Sequence, residues 1–268
     1  MTKDLIAAID AAKAAGKHAK RNFGKLREAH ISMKDRNDFV TTVDKKCEEL
    51  AARAIRKKFP EDSIQGEEGT LETGSSGRKW VIDPLDGTTN FIHSLPTFSV
   101  SIALIDSDND IRVGAIYHPS AKELFTAERG KGAYLNNRRI KVTRNFRTFN
   151  LLLATGFPYK IQEQVDQYLA LFKDFLLDSS GIRRPGSAAI DLAYTACGRF
   201  DGFWELGLNA WDMAAGALMV REAGGLVTDF DGNNHYLSKG HIVASNGKIH
   251  PWMLEKVQRH FPLEPNNS

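Results

Sequence analysis

The sequence predicts a layered α/β fold that contains two sheets. Helical periodicity opens the chain, short β-type runs follow, and helices then alternate with further strand segments. No internal repeat or low-complexity linker separates these regions. We therefore expect one compact unit made of two halves, residues 1–145 and 146–268, which pack together and do not fold as independent domains.

Two helices are predicted at the start of the chain. Residues 3–23 place small and apolar side chains on one stripe at alternating steps of four and three, and Gly24 supplies a C-terminal stop. A second helix is predicted over about residues 43–59, where Thr41 or Thr42 caps the start.

Short strands are predicted through the middle of the chain, in apolar runs separated by Asp, Asn and Gly. They occupy residues 79–82, 98–105, 111–117, 124–126 and 140–143. Strands and helices then alternate. The strands are predicted at residues 151–155, 200–204, 225–228 and 241–245, and the helices at residues 162–177, 187–197 and 211–223.

The bulk composition is that of an ordinary globular protein. Of the 268 residues, 42% are hydrophobic and 26% are charged, which excludes a disordered or collagen-like chain. The net charge of +3 comes from dispersed basic residues, so direct binding to nucleic acid is not expected. Cys47 and Cys197 suit buried, reduced thiols. The first residues form no apolar run typical of a secretion signal or membrane span, so we expect a cytoplasmic protein with no membrane partner.

The densest chemical signal lies in residues 80–91, where an apolar strand meets two closely spaced acids. We expect the strand to stop at Asp83, because Pro84 lacks a backbone donor. Asp83 and Asp86 would then converge, and converging carboxylates repel unless a cation lies between them. With the carbonyl of Leu85 they offer the hard oxygen ligands that Mg²⁺ prefers.

Each acid could instead have an ordinary structural role, and the residues alone do not decide between that role and metal binding. Asp83 and Asp86 are common turn residues, since Asp-Pro and Asp-Gly mark loops. Glu67 and its neighbour Glu68 fit a solvated loop equally well. Asp212 opens an Ala- and Gly-rich helical pattern, where a carboxylate favours the helix dipole by roughly 0.3–1 kcal/mol.

Taken in order along nearly the whole chain, these motifs resemble the inositol monophosphatase family, and closely its bacterial branch. The resemblance rests on residues 38–41 (DFVT), the segment around Asp83, residues 153–158 (LATGFP), residues 211–212 (WD) and residues 222–225 (EAGG). It implies the αβαβα sandwich that this family shares with fructose-1,6-bisphosphatases. It also implies a phosphatase that hydrolyses inositol monophosphate with Mg²⁺ as its cofactor and that Li⁺ inhibits.

Matched residue by residue, the resemblance implies a site built largely from carboxylates. The metal ligands would be Glu67, Asp83, the Leu85 carbonyl, Asp86 and Asp212. Asp44 and Thr88, together with Glu67, match the catalytic residues that position or activate the attacking water, although Asp44 also fits a helix-capping sequence. Substrate contacts would come from Leu85, Asp86, Gly87, Thr88, Arg183, Gly186, Ser187, Ala188, Glu205 and Asp212, with Arg183 favoured over Arg184.

The resemblance leaves the physiological substrate open. Related enzymes hydrolyse fructose bisphosphate, histidinol phosphate or NADP with similar acids. Close bacterial relatives also work with a transcription antitermination factor, so the alternative function is a role in antitermination or ribosome assembly with incidental phosphatase activity. The expected partners are a small phosphorylated polyol and a second copy of the chain in a homodimer.

Overall fold

The computed structural model describes residues 1–35, 38–157 and 162–262 and arranges them in five layers in the order α, β, α, β, α. This order confirms the predicted αβαβα fold. No helix within those ranges is long and apolar enough to cross a bilayer. Pro158, which belongs to one of the family-like motifs, falls outside the described residues.

The first layer is a pair of helices. They are α1 (Lys3–Asn22) and α2 (Thr42–Arg56), and the hairpin of β1 (Ile31–Asp35) and β2 (Asp38–Thr41) lies between them in sequence. Both helices bury alanine-rich faces against the larger sheet. The Thr41 side chain caps α2 by accepting hydrogen bonds from the first backbone N–H groups of the helix.

The second layer is an eight-stranded sheet. Its strands are β3 (Ser63–Gly66), β4 (Leu71–Glu72), β5 (Lys79–Asp86), β6 (Ser99–Ile105), β7 (Ile111–His118), β8 (Glu123–Glu128), β9 (Gly132–Leu135) and β10 (Arg138–Arg139). A short helix, α3 (Thr88–Ile92), follows β5. The sheet order is β10-β9-β8-β7-β6-β5-β3-β4, in which β3 and β5 run parallel and the other neighbours antiparallel.

The predicted strand at residues 140–143 is wrong. The chain forms the hairpin of β9 and β10 instead, whose two-residue loop holds Asn136 and Asn137 at φ angles of 47° and 66°. Left-handed Asn residues are typical of such tight hairpin loops. The Ile140 N–H still donates to the carbonyl of Ala133 in β9 at 2.9 Å, but the chain then leaves the sheet, and the Val142 N–H donates to the carbonyl of Ala223.

The remaining elements come from the second half of the chain. The strands are β11 (Leu152–Thr155), β12 (Gly181–Arg183), β13 (Gly202–Leu206), β14 (Leu226–Thr228) and β15 (His241–Ser245). The helices are α4 (Val165–Asp178), α5 (Ala188–Ala196), α6 (Ala210–Glu222), α7 (Tyr236–Lys239) and α8 (His250–His260). Every helix and strand predicted here is present, whereas β12, α7 and α8 have no counterpart in the prediction.

Helices α5 and α6 form the middle layer between the two sheets. Small residues let the layers approach closely. A Cβ on Gly114 of β7 would lie 2.9 Å from the Cα of Ala215, and one on Gly216 would lie 2.4 Å from the Cβ of Leu192. The second sheet, ordered β12-β11-β13-β15-β14, is covered on its outer side by α4 and α8. Larger residues at the two glycines would force the layers apart.

Candidate active site

Asp83 and Asp86 lie on the two sides of a β-bulge in β5. The strand continues to Asp86, so the prediction that it stops at Asp83 is wrong. Asp83 pairs with Ser101 and Asp86 with Ser99, so three steps along β5 match two steps along β6. Pro84 is tolerated in the bulge because that position contributes no N–H to the ladder. The extra residue brings the two carboxylates close enough to interact electrostatically.

Glu67 follows β3, which runs parallel to β5 and ends beside it. Its backbone N–H donates to the carbonyl of Ile82 at 3.1 Å, which places Glu67 next to the first acid of β5. The buried carboxylate of Glu48 holds the loop that carries Glu67. It accepts hydrogen bonds from the N–H groups of Glu68 at 2.7 Å and Thr70 at 2.8 Å.

Asp212 comes from the other half of the chain, in the first turn of α6. Its Oδ2 accepts a hydrogen bond from the Asn209 N–H at 2.7 Å, which completes a cap on the helix. The helix-terminal interpretation of Asp212 is therefore correct. The same residue also lines one cleft together with Glu67 and Asp86. The site thus draws its acids from both halves of the chain.

The four carboxylates destabilise one another's charged forms. Burial raises the pKa of Asp83 well above its ordinary value, and the charges of the other three acids raise it further. Burial raises the pKa of Asp86 to about 7; the hydrogen bond from Ser187 opposes this rise and the charge of Asp212 adds to it. A cation placed among these groups would remove the repulsion.

The donor set suits a hard divalent cation such as Mg²⁺. Every predicted ligand, the Leu85 carbonyl included, offers oxygen, and Asp83 is only 2% exposed to solvent. In the described part of the chain, no three acidic, His or Cys side chains are already grouped tightly enough to hold an ion. The ligand assignment of each residue therefore stays a prediction.

We expect the metal-free protein to lose stability as the pH rises from about 5 to about 8. Folding raises the pKa of Asp86 to about 7 and that of Glu205 to about 8, so in this window the folded state binds more protons than the unfolded chain. The free energy of unfolding then falls with pH, by about 2 kcal/mol or more. Denaturant titration in EDTA at both pH values measures the change. Equal stability at both would contradict the raised pKa values.

Asp44 and Thr88 are joined by a hydrogen bond beside these acids. Thr88 Oγ1 donates to Asp44 Oδ1 at 2.8 Å and lies 3.0 Å from the carbonyl oxygen of Leu85. The other Asp44 oxygen accepts from the Thr41 N–H at 2.9 Å, so Asp44 also completes the capping box of α2. Burial raises the pKa of Asp44, and the hydrogen bonds from Thr41 and Thr88 oppose the rise. One carboxylate thus caps a helix and orients a hydroxyl.

A cleft of about 190 Å³ opens beside the acids, and the start of α5 forms one wall. Ser187 Oγ donates to Asp86 Oδ2 at 2.6 Å, and the Ala189 N–H donates to the same oxygen at 2.7 Å. Gly186, Ser187 and Ala188 all line the cleft. Because the Ser187 hydroxyl is directed to Asp86, it orients that carboxylate.

Gly87 connects β5 to α3 in a conformation that favours glycine, with φ at 94°. A Cβ there would lie 2.9 Å from the carbonyl oxygen of Thr97 and 3.2 Å from that of Gly186. The contact holds the end of β5 against the loop before α5, so a larger residue would separate two walls of the site.

Glu205 extends from β13 into the cleft. Its carboxylate lies against Gly156, where a Cβ would be 1.9 Å from Oε1. Burial raises the pKa of Glu205 to about 8, and the charges of Asp86 and Asp212 add to the rise, which Arg184 opposes. Glu205 is therefore easier to protonate than an exposed glutamate.

The arginine that lines the cleft is Arg184, whereas the sequence favoured Arg183. Arg184 places its guanidinium 5.9 Å from the ring centroid of Phe157, another residue of the cleft wall. Arg183 is exposed at the end of β12, donates to the carbonyl of Ile182 at 3.2 Å, and is not among the described residues that line the cleft. The structure thus does not bring Arg183 to the other predicted substrate residues.

Two further acids belong to the site but were not predicted from the sequence. Glu48 supports the loop of Glu67, and Asp191 lines the cleft from α5. Both lie inside helical patterns, where an acid ordinarily faces solvent. For Asp191, helical spacing could have indicated a place in the site, because it follows Ser187 by four residues and so lies on the same helix face.

Comparisons with known proteins agree on one family. Residues 1–261 match the sequence model of the inositol monophosphatase family. The Nus factor SuhB of Pseudomonas aeruginosa is 46% identical over 260 residues, which cover 95% of this chain and 96% of that protein. The inositol-1-monophosphatase of Mesorhizobium japonicum is 42% identical over 252 residues, 94% of either chain. The crystal structure of the extragenic suppressor protein SuhB from Bartonella henselae has a TM-score of 0.93 at 41% identity, covering 96% of this chain and 99% of that one.

Proposed function

The chain belongs to the inositol monophosphatase family, and we propose that it is a Mg²⁺-dependent phosphatase that converts myo-inositol phosphate and water to myo-inositol and phosphate. The observation that carries this proposal is the convergence of four carboxylates beside the hydrogen bond between Asp44 and Thr88. The family and the names of the relatives support a phosphatase. The identity of the metal as Mg²⁺ and of the substrate as inositol phosphate goes beyond this support and is part of the proposal.

The proposed metal ligands are oxygen atoms from two parts of the chain. They are Glu67, Asp83, the Leu85 carbonyl, Asp86 and Asp212. Mg²⁺ held there supplies positive charge, which stabilises the charge on the phosphoryl group and makes water a stronger acid.

Asp44 and Thr88 are assigned to the attacking water. Thr88 Oγ1 donates its hydrogen to Asp44, which leaves its lone pairs free to accept a hydrogen bond from a water molecule. The proton that the water loses can pass through Thr88 to Asp44. Because burial raises the pKa of Asp44, its carboxylate takes up a proton more readily than an exposed aspartate does.

Recognition of the alcohol part of the substrate is assigned to the cleft between α5, α6 and β13. Gly186, Ala188 and Glu205 line it, and a carboxylate that accepts hydrogen bonds suits the hydroxyl groups of a polyol.

We expect phosphate release from inositol 1-phosphate to stop in excess EDTA and to return when Mg²⁺ is restored, because the clustered acids need a cation to act together. Assays with histidinol phosphate, fructose 1,6-bisphosphate and NADP run in parallel. Full turnover in EDTA would refute the metal assignment. A clear preference for one of the other substrates, or insensitivity to Li⁺, would refute the inositol phosphate assignment and leave the phosphatase standing.

A role in transcription antitermination is a second proposal, favoured by the name of the 46% identical relative, Nus factor SuhB. Capture from a bacterial lysate compares the parent with Asp83→Asn, which should fold but not hydrolyse. Transcription factors bound equally by both would support a role that is independent of hydrolysis. Their absence from both samples would count against it. A homodimer and a cytoplasmic location are likewise proposed on the family resemblance.

A further inference from the structure

Asp191 is a buried acid that lies in the wall of the cleft. It is 1% exposed and lies on α5, where its neighbours Ile190 and Leu192 are buried apolar residues. Its Oδ1 atom has no hydrogen-bond partner among the described residues. The backbone of α5 does not depend on this carboxyl either, because Ser187 caps the helix.

A buried carboxyl oxygen without a hydrogen bond is unfavourable, since it has lost its hydration. Burial raises the pKa of Asp191 well above its ordinary value, with added effects from the charges of Glu205 and Asp86, and Arg184 opposes the rise. A small apolar residue would suit this position on α5 better. Residues that are unfavourable for stability occur mainly at functional sites. The missing hydrogen-bond partner of Asp191 Oδ1 therefore points to a ligand.

We propose that Asp191 is a substrate-binding residue, which hydrogen-bonds a hydroxyl group of the polyol on the α5 side of the cleft. The inference rests on the proposed phosphatase function. Asp191 and Glu205 line the same cleft, so they would contact different hydroxyl groups of one substrate.

The test uses Asp191→Ala with two substrates, inositol 1-phosphate and p-nitrophenyl phosphate, whose alcohol part has no aliphatic hydroxyl groups. We expect the KM for inositol 1-phosphate to rise about tenfold, which is the effect of one lost hydrogen bond, with a smaller change in kcat. The ratio of kcat/KM for the two substrates should fall by a similar factor. Asp191→Asn can still accept and donate a hydrogen bond and should restore most of this ratio.

Thermal melting without metal separates binding from structure. Because the Oδ1 of Asp191 accepts no hydrogen bond from the described residues, the Tm of Asp191→Ala should equal or exceed that of the parent. Asp62→Ala is the matched control, since Asp62 is a buried acid away from the cleft that accepts from Arg78 at 2.6 Å and Trp80 at 2.8 Å. That variant should melt lower and keep the parental substrate ratio.

Equal losses of kcat/KM for both substrates, or a Tm that falls as it does in Asp62→Ala, would overturn the role of Asp191 while leaving the phosphatase intact. A parent protein that hydrolyses neither substrate with Mg²⁺ present would overturn the proposed function, and the inference with it. The two failures are therefore distinguishable.

Discussion

Asp86→Asn is expected to lower kcat on the order of 100-fold or more, and to weaken the Mg²⁺ dependence with it. Asparagine keeps the volume, and its side-chain oxygen can still accept the hydrogen bonds from Ser187 and Ala189. What is lost is one negative charge among the proposed ligands. Turnover measured across a Mg²⁺ titration reports metal affinity and rate together.

The Asp86→Asn substitution should not destabilise the folded, metal-free protein. The pKa of Asp86 is raised to about 7, so its charged form is unfavourable in the metal-free protein at neutral pH. Removing that charge should leave the metal-free Tm equal to the parent's or higher. Asp108→Asn, the same change in an exposed turn, is the control for the substitution itself. If Asp86→Asn keeps parental turnover and the parental Mg²⁺ dependence, then Asp86 is only a turn residue.

Asp44→Asn and Thr88→Val should each lower kcat by about 100-fold or more, and the double variant by little more than either single one. The two side chains share one hydrogen bond of 2.8 Å, so removing either partner disables the same proton path. Near-additive losses in the double variant would show that the residues act separately.

A neighbouring hydroxyl provides the control for this pair. Thr89 is exposed and follows Thr88 directly, so Thr89→Val makes the same chemical change away from the carboxylate and should leave kcat near the parental value. Asp44→Asn retains a side-chain oxygen for the Thr41 N–H, so α2 should remain capped and the Tm close to the parent's. A large fall in Tm would show that capping is the main role of Asp44.

Periodicity alone was enough to predict the central strands and most of the longer helices, but it missed α8. Residues 3–23 were predicted helical and α1 spans Lys3–Asn22, because a continuous apolar stripe depends only on local spacing. The hairpin at residues 136 and 137 was missed, since its signal is a pair of left-handed Asn residues and not an apolar pattern.

At the site, the identity of the acids was easier to predict than their geometry. The bulge between Asp83 and Asp86 depends on the register with β6, which lies in another part of the sequence. Arg183 and Arg184 are adjacent, and which of them enters the cleft depends on how β12 ends against its neighbours. Glu48 acts on a loop about 20 residues away, and helical spacing carries no sign of such a contact.

The packing of helix α6 in the middle layer affects the affinity for a ligand. Asp212 lies on this helix, which contacts both sheets, whereas Glu67 and Asp86 belong to the larger sheet and the loop beside it. A ligand held by all three has full affinity only for molecules in which α6 is seated against β7 through Gly114 and Ala215. Binding and seating are then linked, and each favours the other by the same free energy. A bulky residue at Gly114, which is not among the described residues that line the cleft, would weaken binding by lowering the seated population.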